Sequence, residues 1–506
     1  RGMMGVPKEI RDVERPANTI VVDNGRDGPK RWAVRERKSS GAYIPGRNPQ
    51  PVNGGVIGHI IDFRFVPIKD PMGSNGPEEL QYAPIALFHS VTKDVLEDLI
   101  SIIDADDVYL MMAIAALRFA HPGISDKRLS TDYRRTFACI YYPNVPISAN
   151  TVSAFQERIG IDGEKRREFY KRRVMRVAKE HHIAIDGMLK QDNSIVNDLS
   201  EYSHKSRKKG SKDISVLFAY DIELMEPICS EVFPGNMIDA KAYSAFIRDN
   251  NITKGVVVDD KGFPPSQIKK ELSDSPDLHF LTPLKRNAKV IAKYEMYSFE
   301  GPLADYEGVW FKKVRMENGN FLISYKDVRR AASEEMNYNN QKRRTGNFDP
   351  EDYKRKDDRF GTIVFETDVD LDPEVAYAIY EDRWLLELVF KRYKNELDFD
   401  QTNVQSDPST IGKEFINFIC ILATTRVLRK ARDAGLLEKM SYGDLMDDLK
   451  QCWRKVDAPE EPANDDGCWI HTFEAGFDAM AALGLSKPVP KPEPKKRGRK
   501  PKNPVP

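Results

Sequence analysis

The sequence predicts an α/β fold in which a mixed central sheet carries helices on both faces. A helical region precedes this core and a β-rich insertion interrupts it. Three observations predict this. Between His182 and Thr282, short apolar runs alternate with helical stretches, and two runs lead into acids, HIAIDGM and KGVVVDD. Between Asp260 and Glu387 lie 126 residues with β-like runs of their own, more than a helix crossover needs. The stretch Ala376 to Glu396, AYAIYEDRWLLELVFKRYKNE, has no Gly or Pro and reads as one long helix led by Asp372-Pro373, an N-cap and first helical position.

Taken in order, residues 1 to about 80 are rich in Gly, Pro, Arg and Asn, with β-like runs at Thr19–Val22 and Val56–Val66. They predict a small β module or arm, in which Lys30, Arg31, Arg35, Arg37 and Lys38 either touch DNA or form a solvated loop. From Thr92 to Arg172 the spacing is helical: Val91, Val95, Leu99, Ile102 and Ile103 recur every three to four residues. Ser148 is placed to cap a later helix. A short helix near Asp126–Thr136 with Asn150–Ile159 forms either a helix-turn-helix or a helical domain without DNA contacts.

At His182 the rhythm becomes that of strands. Asp186 lies near the end of a short apolar run; Ile214–Tyr220 and Pro227–Phe233 are the next two strands, and Asp239–Asn250 a helix. Lys254–Asp260 is a buried strand ending in two acids, a helix led by Pro264-Pro265 follows, and His279–Thr282 is a further strand. The order β-β-β-α-β-α-β fits a ribonuclease-H-like core. His181 and His182 read as structural, since no metal-binding His spacing is present.

In the insertion, Val309–Met316 and Asn320–Tyr325 predict strands, and Glu334 to Arg359 is strongly charged, either a mobile linker or an arm ordered by DNA. Trp310 either stacks on a flipped-out base or, as flanking Val309, Phe311 and Val314 favour, fills a core.

Wound at 100° per residue with Tyr380 at zero, the long helix places Arg383 at about −60°, Glu387 at about −20° and Lys394 at about −40°. A carboxylate, two cations and a phenol thus share one stripe suited to a metal ion and a phosphate backbone, or else form a solvated face with an i,i+4 ion pair. Ile379, Leu386, Val389, Phe390, Tyr393 and Leu397 occupy a separate, core-facing arc. Pro408–Ala434 is a long helix with an apolar middle, and Ser441–Val456 a further amphipathic helix.

The tail after Ser486 has eight Lys or Arg against one Glu and cannot fold alone. Arg497 and Arg499 with flanking lysines resemble an AT-hook, although Lys500 separates Arg499 from Pro501, so plain electrostatic tethering to DNA is the other reading.

At 506 residues the chain accommodates about two to four domains. The balance of 78 basic and 78 acidic residues gives no overall attraction to nucleic acid, so the local clusters KSRKKGSK and the tail must supply it. Five scattered cysteines without a CxxC argue against a disulfide framework or zinc site and for a reducing cytoplasm. No signal peptide or 18-residue apolar run is present, so neither export nor a membrane span is expected. The chain opens on Arg1 rather than Met, so residues preceding it are expected.

The motifs IAIDG, VVVDDKGF and Tyr380-x2-Arg383-x3-Glu387-x6-Lys394 resemble the DDE transposases of bacterial insertion sequences that carry a Y-R-E-K signature. The resemblance covers roughly 90–455. It implies that Asp186, Asp260 and Glu387 are catalytic and hold two Mg²⁺ ions, with Mn²⁺ able to substitute, and that Tyr380, Arg383 and Lys394 bind DNA phosphates. By the family pattern the acid two residues before Gly262 is the catalytic one, with Asp259 as the alternative.

The implied function is cut-and-paste transposition by strand cleavage and strand transfer. Its partners are the terminal inverted repeats of the element and target DNA, bridging a homodimer near the bacterial nucleoid. A metal-dependent nuclease that only hydrolyses, or an inactive DNA-binding remnant, are the rivals. The expected segments are 1–90, an N-terminal arm or small β module; 91–178, helical and DNA-binding; 179–285, first part of the core; 286–371, the insertion; 372–456, second part of the core with C-terminal helices; and 457–506, linker and basic tail.

Overall fold

The computed structural model describes residues 6–25, 28, 30–39, 51–67, 79–178, 181–194, 196–203, 210–224, 226–237, 239–258, 276–382, 394, 397, 399, 401–402, 404, 406–456, 468–470 and 472–486, with the backbone alone at 186 and a few other positions. It divides into two units, Arg1–Glu79 and Leu80–Pro506.

The first unit is an antiparallel meander of β1 (Thr19–Asp23), β2 (Trp32–Ser39), β3 (Pro51–Ile61) and β4 (Arg64–Pro67). Its small core is Val21, Val34 and Ile60, with Trp32, Ile57 and Phe65 packed around it. Strand β2 corrects the reading of the basic stretch as a loop. In WAVRERKS, Val34 is buried while Arg35 pairs across to Val56 and Arg37 to Asn53, so the charges decorate a strand.

The second unit starts with β5 (Glu79–Gln81), which joins two short strands near the C-terminus. Seven helices follow, from Ala83–Val91 to Gly163–Met175. Ala105–Ala120 is almost entirely buried, and Ser148 caps Ala149–Ile161, accepting from the Thr151 amide at 3.2 Å. The latter helix crosses Asp407–Asp433 at a glycine seam. A Cβ on Gly160 would sit 1.7 Å from the Pro408 carbonyl oxygen, and one on Gly412 1.9 Å from that of Gln156. Only glycine lets the two backbones approach so closely.

The large sheet holds β6 (His182–Asp192), β7 (Lys212–Asp221), β8 (Glu226–Pro234), β9 (Lys254–Val258) and β10 (Asp277–Pro283) in the order β8-β7-β6-β9-β10. Strand β7 is antiparallel to both of its neighbours, β6 and β8; β9 lies parallel to β6, and β10 parallel to β9. Helix Asp239–Asp249 makes the crossover from β8 to β9. The helix expected after Pro264-Pro265 lies outside the described residues.

The sheet continues beyond β10 through the insertion: β14 (Thr362–Thr367) pairs with β10, and β13 (Phe321–Asp327), β12 (Val309–Arg315) and β11 (Gly301–Pro302) follow outward. Leu284, Ile291, Met296, Met316, Leu322 and Val364 form a core there. The charged stretch, expected as a linker or arm, is two helices, Val328–Thr345 and Pro350–Asp357. Asp327 and Asp349 cap them, and Tyr338, Tyr353 and Phe360 pack between them. Trp310 is 43% exposed, not a core residue. With a side-chain period of two it faces away from buried Val309.

The amphipathic helix expected over Ser441–Val456 stops at Lys450, after which β16 (Trp453–Lys455) pairs with β17 (Trp469–Ile470). No described helix is long and apolar enough to cross a membrane.

Candidate active site

Strand β6 is the middle one of the five strands β8-β7-β6-β9-β10, and its sequence explains why. Ile183 and Ile185 are fully buried on one side of the pleat, and Ala184, Met188 and Lys190 are buried on the other. On one edge β6 pairs with β7 along its whole length, Asp186 lying opposite Phe218. On the other edge it meets β9 at His182–Ala184 and β15 (Gln401–Thr402) at Gln191–Asp192. Asp186 lies between these two contacts. The carbonyl just before it, that of Ile185, accepts from the buried Tyr243 hydroxyl at 3.0 Å, which fixes the strand from the crossover helix. Gly187, just after it, is exposed.

Of the residues that the sequence singles out, Asp259, Asp260, Arg383, Glu387, Arg497 and Arg499 lie outside the described residues. Lys394 is helical and half-buried. Tyr380 sits in the helix 373–382, whose start follows the predicted cap: the Asp372 carboxylate accepts from the Glu374 amide at 2.8 Å, with Pro373 next to it.

Among the described residues, the insertion holds this helix at several points. The Tyr325 hydroxyl donates to the Pro373 carbonyl at 2.7 Å, Lys313 donates to the Leu371 carbonyl at 2.6 Å, and the rings of Tyr306 and Tyr325 lie against Tyr377. Phe365 packs edge-on against Tyr380 with centroids 5.2 Å apart. Arg330 donates to the Tyr380 hydroxyl at 2.7 Å and to Glu381 at 3.1 Å. Sequence reasoning missed Arg330, and no local signal marks a contact across fifty positions of chain.

At the start of β6, His181 meets Asp221 at 2.8 Å, and His182 pairs with Glu223, which also accepts from the His182 amide at 2.8 Å. Burial raises the pKa of Asp221; burial also pushes Glu223 up, but the bonds from His182 outweigh it and leave it lowered. Asp382, on the helix that carries Tyr380, is raised by burial and by the Glu223 charge. One atom each of His181, Asp221 and Glu223 lie within 4.8 Å of one another, close enough for a metal ion. Their oxygens are already engaged: the Leu224 amide takes Asp221 Oδ1, His181 its Oδ2, and His182 both of Glu223. Mg²⁺ prefers carboxylate oxygens; the side chains of Asp186, Asp260 and Glu387, which the sequence singles out for it, lie outside the described residues.

Two polar clusters fix the core to its surroundings. Arg426 bonds Asp94 at 2.6 Å and Glu226 at 2.9 Å, and Arg173 bonds the same two acids at 3.1 and 2.7 Å. On β6, buried Lys190 meets buried Glu414 of the long helix at 2.5 Å. Asn417 donates to Glu414 at 3.2 Å, while Arg118 donates to Asn417 at 3.1 Å and to Asp126 at 3.0 Å. Both clusters join the helices before residue 178 to the sheet.

Residues 178–422 match the family described as "Transposase DDE domain". The chain carries a transposase DDE domain. Its matched limits run from just before β6 into helix Asp407–Asp433, so the transposase domain contains both the β6 acid and the whole insertion. Among curated proteins nothing matches. Among solved structures the chain is similar to "Cryo-EM structure of piggyBac transposase synaptic complex with hairpin DNA (SNHP)", at 11% identity and a TM-score of 0.38, covering 73% of this chain and 80% of that one.

Proposed function

We propose that the chain is a DNA transposase that cuts the ends of its own mobile element and joins them to target DNA, with Asp186, Asp260 and Glu387 as the metal-binding acids. One observation carries this reading. Ala184 of β6 pairs in parallel with Val258 of β9, Asp186 comes two residues after the first, and Asp260 two residues after the second. Side chains two apart on a strand share a face, so if the alternation of β9 continues past Val258, Asp260 rather than Asp259 is the companion of Asp186. The strand order β8-β7-β6-β9-β10, three antiparallel strands and then two parallel ones, supports a ribonuclease-H-like core.

In this reading the three carboxylates hold two divalent ions, which when bound activate the attacking oxygen and stabilise the leaving one. Tyr380, Arg383 and Lys394 hold phosphates of the element end and keep the scissile bond in line. A water oxygen attacks phosphorus and releases a 3′-hydroxyl; that hydroxyl then attacks a target phosphodiester and expels its 3′-oxygen, so no protein–DNA bond forms. The helices before residue 178 and the basic tail, through Arg497 and Arg499, add backbone contacts. Two chains bridged by two terminal inverted repeats would bring both ends to one target, in the cytoplasm of a bacterium.

The test of the acids is substitution. Asp186→Asn and Asp260→Asn are expected to lower Mg²⁺-dependent nicking of duplexes carrying the sequences that flank the gene by at least about 10³-fold, with DNA binding retained. Asp259→Asn is expected to keep most activity. Loss in Asp259→Asn with activity in Asp260→Asn would reverse the assignment.

A further inference from the structure

Arg330 stands in the first turn of the 18-residue helix Val328–Thr345, where the Asp327 carboxylate accepts from the amides of Arg329 and Arg330 at 2.8 and 3.1 Å. Its root is therefore fixed. From there the guanidinium reaches the helix 373–382, with one nitrogen on the Tyr380 hydroxyl at 2.7 Å and another on Glu381 at 3.1 Å. The guanidinium carbon lies 5.2 Å from the centre of the Tyr380 ring, and Phe365 holds the ring through an edge contact. The side chain is 35% exposed, so the pair borders solvent.

A guanidinium has only donors. The Tyr380 oxygen must therefore accept, and its own hydrogen is left to give. No acceptor among the described residues takes that hydrogen. A hydroxyl that accepts from a cation donates more strongly in turn, and a charged acceptor suits it best. We infer that Arg330 is a positioning residue for Tyr380: it orients the phenol so that its hydrogen goes to a phosphate oxygen of bound DNA. Glu381 takes the other arm of the guanidinium, so Arg330 is held in place and its charge partly balanced before DNA arrives. The inference rests on the transposase reading, in which Tyr380 contacts the element end.

A double-mutant cycle tests it. The dissociation constant for a labelled duplex carrying the gene's flanking sequence is measured for the wild type, Tyr380→Phe, Arg330→Gln and the double variant, each with a melting curve to verify folding. Tyr380→Phe is expected to weaken binding about tenfold, the size of one hydrogen bond to a charged group. Arg330→Gln is expected to lose at least as much, and the double variant to bind no more weakly than Arg330→Gln alone. A purely structural Arg330 would lower the melting temperature and leave the two losses independent. Should Arg330→Gln fail to fold, Arg330→Lys, which keeps a donor and the charge, carries the same cycle with non-additive losses expected.

Losses that multiply in the double variant, or a Tyr380→Phe protein that binds as the wild type does, would overturn the inference while leaving a wild type that nicks and joins still a transposase. A wild-type protein that binds neither flank would overturn both.

Discussion

At the scale of single residues, the structure separates what local chemistry settles from what only the fold can settle. The caps Ser148 and Asp372 were legible, because a side-chain oxygen reaching an amide two or three residues on is a local event. The contact of Arg330 with Tyr380 was not, since it needs β12 to β14 laid beside β10 before the two residues can meet. Trp310 was misread for a related reason: alternation says which residues share a face, and not whether anything covers it.

Asp94 gives a residue-scale prediction. Burial alone would push its pKa up, but the hydrogen bonds and charge of Arg426, with the charges of Arg173 and Arg176, outweigh this and bring it down to about 2. The folded state thus prefers the ionised form; its contribution is present above the ordinary carboxylate range and is lost as pH falls from about 4 towards about 2. The carboxylate is about one-third exposed, so screening leaves about 1 kcal/mol of this. Asp94→Asn is expected to melt below the wild type at pH near 7, with the gap closing in acid. A gap that stayed constant with pH would show that the titration of Asp94 is not its source.

At the scale of elements, apolar periodicity located most strands and helices and misjudged their ends. It placed β6 to β10 correctly because buried strands read as short apolar runs. It missed β2, where charge hid the alternation, and overran the helix that ends at Lys450 because β16 pairing begins three residues later. For Ala149–Ile161 the sequence left open a helix-turn-helix or a plain helical domain; its buried face, Val152, Phe155, Gln156 and Ile159, is a packing face.

The seam between that helix and Asp407–Asp433 carries a prediction. A methyl at Gly160 or Gly412 meets backbone, which cannot rotate aside. Gly160→Ala and Gly412→Ala are each expected to destabilise the protein by about 1–3 kcal/mol or more, read as a fall in melting temperature. Gain or no change, as ordinary helix propensity would give, would show that the two backbones do not approach so closely.

At the scale of the whole molecule, the candidate site was legible in part. Asp186 lies in the middle of β6 (His182–Asp192), two residues past its parallel pairing with β9: the apolar run stops near the acid, but the strand runs on to Asp192 and the acid is not at a strand terminus. The sequence did not show that the insertion would extend the same sheet and hold the helix of Tyr380, because strand order is decided by long-range pairing. The insertion therefore holds the helix 373–382, through Tyr325 on the Pro373 carbonyl and the rings of Tyr306 and Tyr325 against Tyr377.

The most direct measurement incubates labelled DNA carrying the gene's flanking sequences with Mg²⁺ or Mn²⁺ and a target plasmid, comparing the wild type with Glu387→Gln, which keeps the shape and removes a metal-binding charge. Nicking at the element end followed by joining to the plasmid is expected in the wild type, and neither in the variant. Nicking without joining would indicate a nuclease, and DNA binding without cleavage under either metal would contradict the account and leave a DNA-binding remnant.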